Sequence, residues 1–178
     1  MGRLAWTGLT GVGALVGVQA AAAVSPPIIV APLQGGPGDA INFQSPDHAA
    51  TVALSSAKAG ADDVAVTVKL QTLLRCGRPA GGAIVVSLPR SAQVPRAIAS
   101  KSVRVNGKAP SKVSVSATTV TVGLPVVQGV TCDSMTDGVV QVAFAPTAAL
   151  GNPAHAGSYT IAVRQARAVH SVPIAIRP

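Results

Sequence analysis

Glutamate is missing from this chain, and its six acidic residues are all aspartate. Between Asp63 and Asp133 there is no acidic residue at all, while Lys69, Arg75, Arg78, Arg90, Arg96, Lys101, Arg104, Lys108 and Lys112 fall inside that window. Paired-carboxylate chemistry would have to come from Asp39, Asp47, Asp62, Asp63, Asp133 and Asp137, and none sits where one pKa would be pushed against another. The adjacent Asp62-Asp63 lies in a turn, where Asp is expected for backbone reasons. Aromatics are nearly as scarce: Trp6, Phe43, Phe144 and Tyr159 are the whole set. Platforms for stacking on bases or sugars are therefore wanting, and the core must be filled by Val, Ile, Leu and Ala. The two cysteines, Cys76 and Cys132, form no Cys-x-x-Cys pair and have no His at ligand spacing. No nucleophile-elbow motif surrounds any Ser, and His48, His155 and His170 stand apart from one another. After the first 23 residues no apolar run is long enough to span a bilayer.

What is present begins with a targeting pattern. Arg3 supplies a positive start, Leu4 to Val18 is apolar, and Gln19-Ala-Ala-Ala-Ala23 gives small residues for cleavage, so residues 1–23 read as a signal peptide, cut after Ala23 in preference to Ala22 or Ala21, with an uncleaved membrane anchor as the alternative. Residues 24–40, with Ser25-Pro-Pro27 and Gly35-Gly-Pro-Gly38, read as a flexible lead-in, and 41–178 as a single domain. Without Arg3, 13 of the 14 basic residues remain against six Asp, a net charge of about +7. An even cysteine count in an exported chain predicts a Cys76–Cys132 disulfide over free buried thiols or a metal pair, worth roughly 4 kcal/mol on loop-closure entropy.

Short runs of strict apolar alternation fill the rest. Val64, Val66, Val68 and Leu70 share one face, as do Ile84, Val86 and Leu88. Val103 and Val105 flank Arg104 before an Asn106-Gly107 turn, and Val113/Val115 with Val120/Val122/Leu124 predict a hairpin through Ser116-Ala-Thr118. Val140, Val142 and Phe144, then Tyr159, Ile161 and Val163, then Val172, Ile174 and Ile176 complete the set. Ser91 to Ser100 reads as irregular or briefly helical. Some seven to nine short strands with regular turns predict an all-β antiparallel sandwich.

The order Val52-Ala-Leu-Ser-Ser, Val64-Ala-Val-Thr-Val, Gly81-Gly-Ala-Ile-Val-Val-Ser-Leu-Pro89, Val103-Arg-Val-Asn-Gly107, Val120-Thr-Val-Gly-Leu-Pro125, Asn152-Pro153 and Ala156-Gly-Ser-Tyr-Thr-Ile161 resembles the immunoglobulin-like repeat of bacterial cell-surface and S-layer-type proteins. The resemblance spans about Ala50 to Ile176. It implies an extracellular β-sandwich module without catalysis, secreted or held at the cell envelope. This chain departs from the repeat in its single copy, its two cysteines and its basic middle.

The expected function is accordingly non-catalytic binding of an anionic envelope polymer or an acidic protein face, with no cofactor, no metal and no nucleic-acid role. The candidate surface is Arg90, Arg96, Lys101, Arg104, Lys108 and Lys112, with the loops around Cys76 and Cys132. Arg104 and Lys112 point outward by strand alternation. Asp47-His48 and Asp133 with Asp137 offer at most two metal ligands each. A homo-oligomeric structural subunit pairing through edge strands, and an enzyme of unrecognised type, are the rival expectations.

Overall fold

Alternation of apolar and polar residues gives strands whose two faces differ, and the computed structural model shows how those faces are paired. It describes residues 41–47, 49–75, 78, 79, 82–125 and 135–178, all within the unit Leu33–Pro178. The signal peptide, the lead-in and both cysteines lie outside the described residues.

Eleven strands are present among them: β1 (Ile41–Gln44), β2 (Ala50–Leu54), β3 (Val66–Arg75), β4 (Arg78–Pro79), β5 (Ala83–Ser87), β6 (Val103–Val105), β7 (Lys112–Ser116), β8 (Thr119–Gly123), β9 (Met135–Phe144), β10 (Gly157–Gln165) and β11 (Ala168–Ile176). The first sheet runs β1-β2-β3-β9-β6, with the two-residue β4 beside β3, and the second runs β11-β10-β5-β8-β7. Every pairing within the two sheets is antiparallel. The protein is an all-β sandwich. In chain order β2, β3, β5, β6, β9, β10 and β11 take the places of strands A to G of a constant-type immunoglobulin sandwich, A-B-E-D facing G-F-C. The β7–β8 hairpin is inserted after the fourth of these and extends the second sheet past β5. β1, for which the sequence named no strand, adds an edge to the first.

Between the sheets lie Val52, Leu54, Val68, Leu70, Val103, Val140, Val142 and Phe144 from one side, and Ile84, Val86, Val120, Val122, Ile161, Val163, Val172 and Ile174 from the other, all buried. Burial of one such side chain contributes about 1.5–3 kcal/mol. The interior is assembled from β-branched chains of similar size, which fill a pleated surface evenly at low rotamer cost. Gly138 is needed where it stands, because a side chain there would collide with Leu74.

The connections are fixed by backbone chemistry. Asn106 and Gly107 both have positive φ, 47° and 76°, as a type I′ turn requires, and Val105 and Lys108 close it with reciprocal N–H to C=O bonds of 2.8 and 2.9 Å. The segment read as irregular or briefly helical is irregular, apart from a 3-10 turn at Ser100–Ser102. Tyr159 donates its hydroxyl to the His155 carbonyl at 3.0 Å, closing the corner where the chain enters β10.

Asn152 ties two connections together at one end of the sandwich. It is 5% exposed, and its side-chain amide donates to the carbonyls of Ser56 and Lys58, each at 2.9 Å, while its backbone N–H donates to Ala61. This accounts for the Asn-Pro pair seen in the sequence: the amide satisfies two carbonyls of the β2–β3 connection that sit beside the core. Asn152→Ala leaves the Ser56 carbonyl without this donor and the Lys58 carbonyl with only the 3.3 Å bond from the Ala61 N–H, and should lower the free energy of unfolding by about 1–3 kcal/mol in urea titrations, with an unchanged m-value.

Candidate functional site

Strand alternation places Thr51 and Ala53, then Thr67, Lys69 and Gln71, then Val139, Gln141 and Ala143, and finally Arg104 on the solvent face of the first sheet. The pairing registers then align them in rows across the strands. One row is Gln44, Thr51, Lys69 and Gln141; the next is Asn42, Ala53, Thr67, Ala143 and Arg104. Lys69 and Arg104 thereby share a face, two strands and one row apart, about 12 Å at the backbone.

Arg104 is held by its own backbone surroundings. Its Nη1 donates to the Lys101 carbonyl at 3.1 Å and the Val103 carbonyl at 3.0 Å. Both ends of β6 are anchored as well. Ser102 donates its hydroxyl to the Thr147 carbonyl at 3.1 Å and accepts the Thr147 hydroxyl at 3.0 Å, while Asn106 accepts the Gln141 N–H at 2.7 Å. Lys101 and Lys108 consequently project from the two ends of a short, fixed strand. No carboxylate pairs with Lys69, Lys101, Arg104 or Lys108 among the described residues.

The structure therefore brings together three of the six basic residues picked from the sequence, Lys101, Arg104 and Lys108, and adds Lys69. Arg104 and Lys112 do both point outward, yet from opposite faces: Lys112 is on β7 in the second sheet, with its Val113 and Val115 neighbours turned inward. Arg90 and Arg96 are exposed on the connection from β5 to β6, away from the strands. Cys76, Cys132, His48 and Asp133 lie outside the described residues, as does the side chain of Asp137; near Cys76, Arg75 and Arg78 are described and pair as members of β3 and β4. Lys69 carried a sequence signal in its alternation with Val68 and Leu70, but only the β3-β9-β6 pairing reveals its neighbour.

One cluster of titratable groups lies elsewhere. Asp47, in the β1–β2 turn, pairs with His170 on β11 at 2.6 Å between Oδ2 and Nδ1, and its Oδ1 accepts the Ala49 N–H at 3.2 Å. Hydrogen bonds from Ser45, His170 and the Ala49 backbone hold the carboxyl at about 2, well below its ordinary 3.8. The Ser45 hydroxyl serves Asp47 and accepts the Ala50 N–H at 2.8 Å. A nucleophilic triad needs the histidine between serine and carboxylate; here the carboxylate is in the middle, so the serine has no base. The cluster is a latch joining the marginal strands of the two sheets. An apolar cavity of about 20 Å³ between Leu54, Val64, Ile161 and Ile174 has room for roughly one water molecule and no ligand.

No family model matches the chain, and no curated protein does. Among solved structures, the crystal structure of BslA, a bacterial hydrophobin, matches with a TM-score of 0.43 and 19% sequence identity, covering 78% of this chain and 98% of that one. A likeness at this level carries no argument about family or activity.

The latch has a pH signature. Its carboxyl ionises more readily folded than unfolded, so its stabilisation is complete above about pH 4 and is lost as the pH falls through about 2. Asp47→Asn should lower the melting temperature at pH 7, and the difference from the unmodified protein should shrink steadily as the pH of the melts is lowered from about 4 through about 2.

Proposed function

We propose that this chain is a secreted, non-catalytic module that holds an anionic cell-envelope polymer against the outer face of its first sheet. The observation that carries the reading is the placing of Arg104 and Lys69 on one face, two strands and one row apart, with Lys101 and Lys108 near Arg104 along the chain and no described carboxylate to neutralise them. Unopposed cations on a surface make a field of one sign, which attracts and retains a polyanion more than it stabilises the fold. Arg104 spends Nη1 on backbone carbonyls, which fixes the guanidinium plane and leaves its other N–H donors for an acceptor from outside. Export and envelope residence are part of the proposal and rest on the signal-peptide pattern and the family resemblance of the sequence.

The test is co-sedimentation of the protein beginning at Val24 with isolated cell envelopes, at low and at high salt. Binding should be strong at low salt and fall steeply as salt rises. The Lys69→Ser/Arg104→Ser pair should weaken it by about fivefold per cation, equivalent to ~1 kcal/mol each, whereas Lys112→Ser on the opposite face should leave it unchanged. Absence of binding at low salt, or equal weakening by Lys112→Ser, would show the reading to be wrong.

A further inference from the structure

Resting on that reading, the shape of the same face narrows the class of polymer. The two rows of the first sheet differ in height. Ala53, Thr67 and Ala143 lie side by side on β2, β3 and β9, each half-buried, and make a floor of short side chains. Beside them on the same three strands stand Thr51, Lys69 and Gln141, with Gln44 next to Thr51 on β1, so that this row carries longer side chains at three of its four positions, while Arg104 ends the floor's own row on β6. Among the described residues the side chains of Gln44, Lys69 and Gln141 have no hydrogen-bond partner. The result is a ledge that runs across the strands, apolar beneath, amide-lined along one side, and cationic at Lys69 and Arg104.

We infer that the polymer is an acidic polysaccharide. A chain lying across the strands meets a new strand every ~4.8 Å, close to the length of one sugar ring. The C–H faces of successive rings would rest on Ala53, Thr67 and Ala143. Ring hydroxyls both donate and accept, and so do the amides of Gln44 and Gln141. Carboxylates on alternate or neighbouring rings fall to Lys69 and Arg104. A polyphosphate has no apolar face for the floor and no donors for the amide oxygens. Single-stranded nucleic acid would ask for aromatic stacking, and this face has no aromatic residue.

The experiment is calorimetric titration of the Val24 protein with polygalacturonate, with inorganic polyphosphate of matched charge, and with neutral dextran. Ala143→Gln fills the floor without altering charge; Thr67→Gln does the same on the neighbouring strand should the first variant fail to fold, as checked by thermal melts. Polygalacturonate should bind, and floor-filling should weaken it by about tenfold or more, while polyphosphate should bind more weakly and be indifferent to the floor. If floor-filling leaves polygalacturonate binding unchanged, or if polyphosphate binds as tightly, the polysaccharide inference falls and the electrostatic reading survives. Dextran bound as tightly as polygalacturonate would overturn the role given to the cations. Failure of both polyanions at low salt would overturn the inference and the proposed function together.

Discussion

The ladder between β3 and β9 is the constraint on which the remainder of the sandwich depends. It is ten residues long, from Val66↔Phe144 to Arg75↔Met135, and it joins parts of the chain separated by some sixty intervening residues. A loop of that size costs entropy before any contact rewards it, so the pairing must be stabilised by a long run of buried neighbours, and Val68, Leu70, Val140 and Val142 supply that run. Register follows from the same residues. A slip of one position would turn those four chains to solvent and carry Lys69 and Gln141 into the core. The burial pattern that holds the fold therefore also sets which polar groups meet on the outside. The proximity of Lys69 to Arg104 is a by-product of where valine must go.

A core without many aromatics has consequences on both sides of the sheet. Phe144 is the one large ring among the fully buried side chains, and packing otherwise relies on β-branched residues that present similar volume at every position. Such a core tolerates a regular pleat and gives nearly planar rows on its solvent face. The same scarcity removes the usual means by which a protein grips a sugar or a base, a ring laid flat against another ring. What remains for recognition is short apolar floor, amide and cation, and all three occur together on the first sheet. The second sheet has a different exterior, with hydroxyls such as the Ser87–Thr119 pair at 3.2 Å and few long side chains.

Much of this was legible in the residues, and the rest was not for identifiable reasons. The β7–β8 hairpin, β5, β10 and β11 follow from alternation alone, since each is a local pattern bounded by a turn. Asn106-Gly107 announced its turn type because only that backbone geometry favours both residues. β1 was hidden because Ile41-Asn-Phe-Gln44 is four residues long and follows a Pro- and Gly-rich stretch. The first half of β9 was hidden by Asp137 and Gly138, residues that ordinarily end strands; Gly138 is there to admit Leu74. The outward direction of Arg104 and Lys112 was readable from parity, but their falling on opposite faces depends on which sheet each strand joins. Asp47 and His170 meet across more than a hundred residues, and no local pattern encodes that.

The edges explain why the faces are the better place to look for function. A sheet edge offers unpaired backbone groups to any passing strand, and each margin of this sandwich is blunted in its own way. β11 carries Pro173 in its middle, which removes a donor, and β6 is three residues long with Val105 already bonded to Lys108 across its turn. β1 has four residues and ends in the Asp47 latch to His170. β7 places the exposed charge of Lys112 at its start. Self-assembly through strand addition would have to overcome each of these, and the basic margin would repel a second copy of itself. A polyanion meets no such obstacle. The charge that discourages pairing with a like surface is the charge that would retain an acidic polymer, so one set of side chains serves both ends.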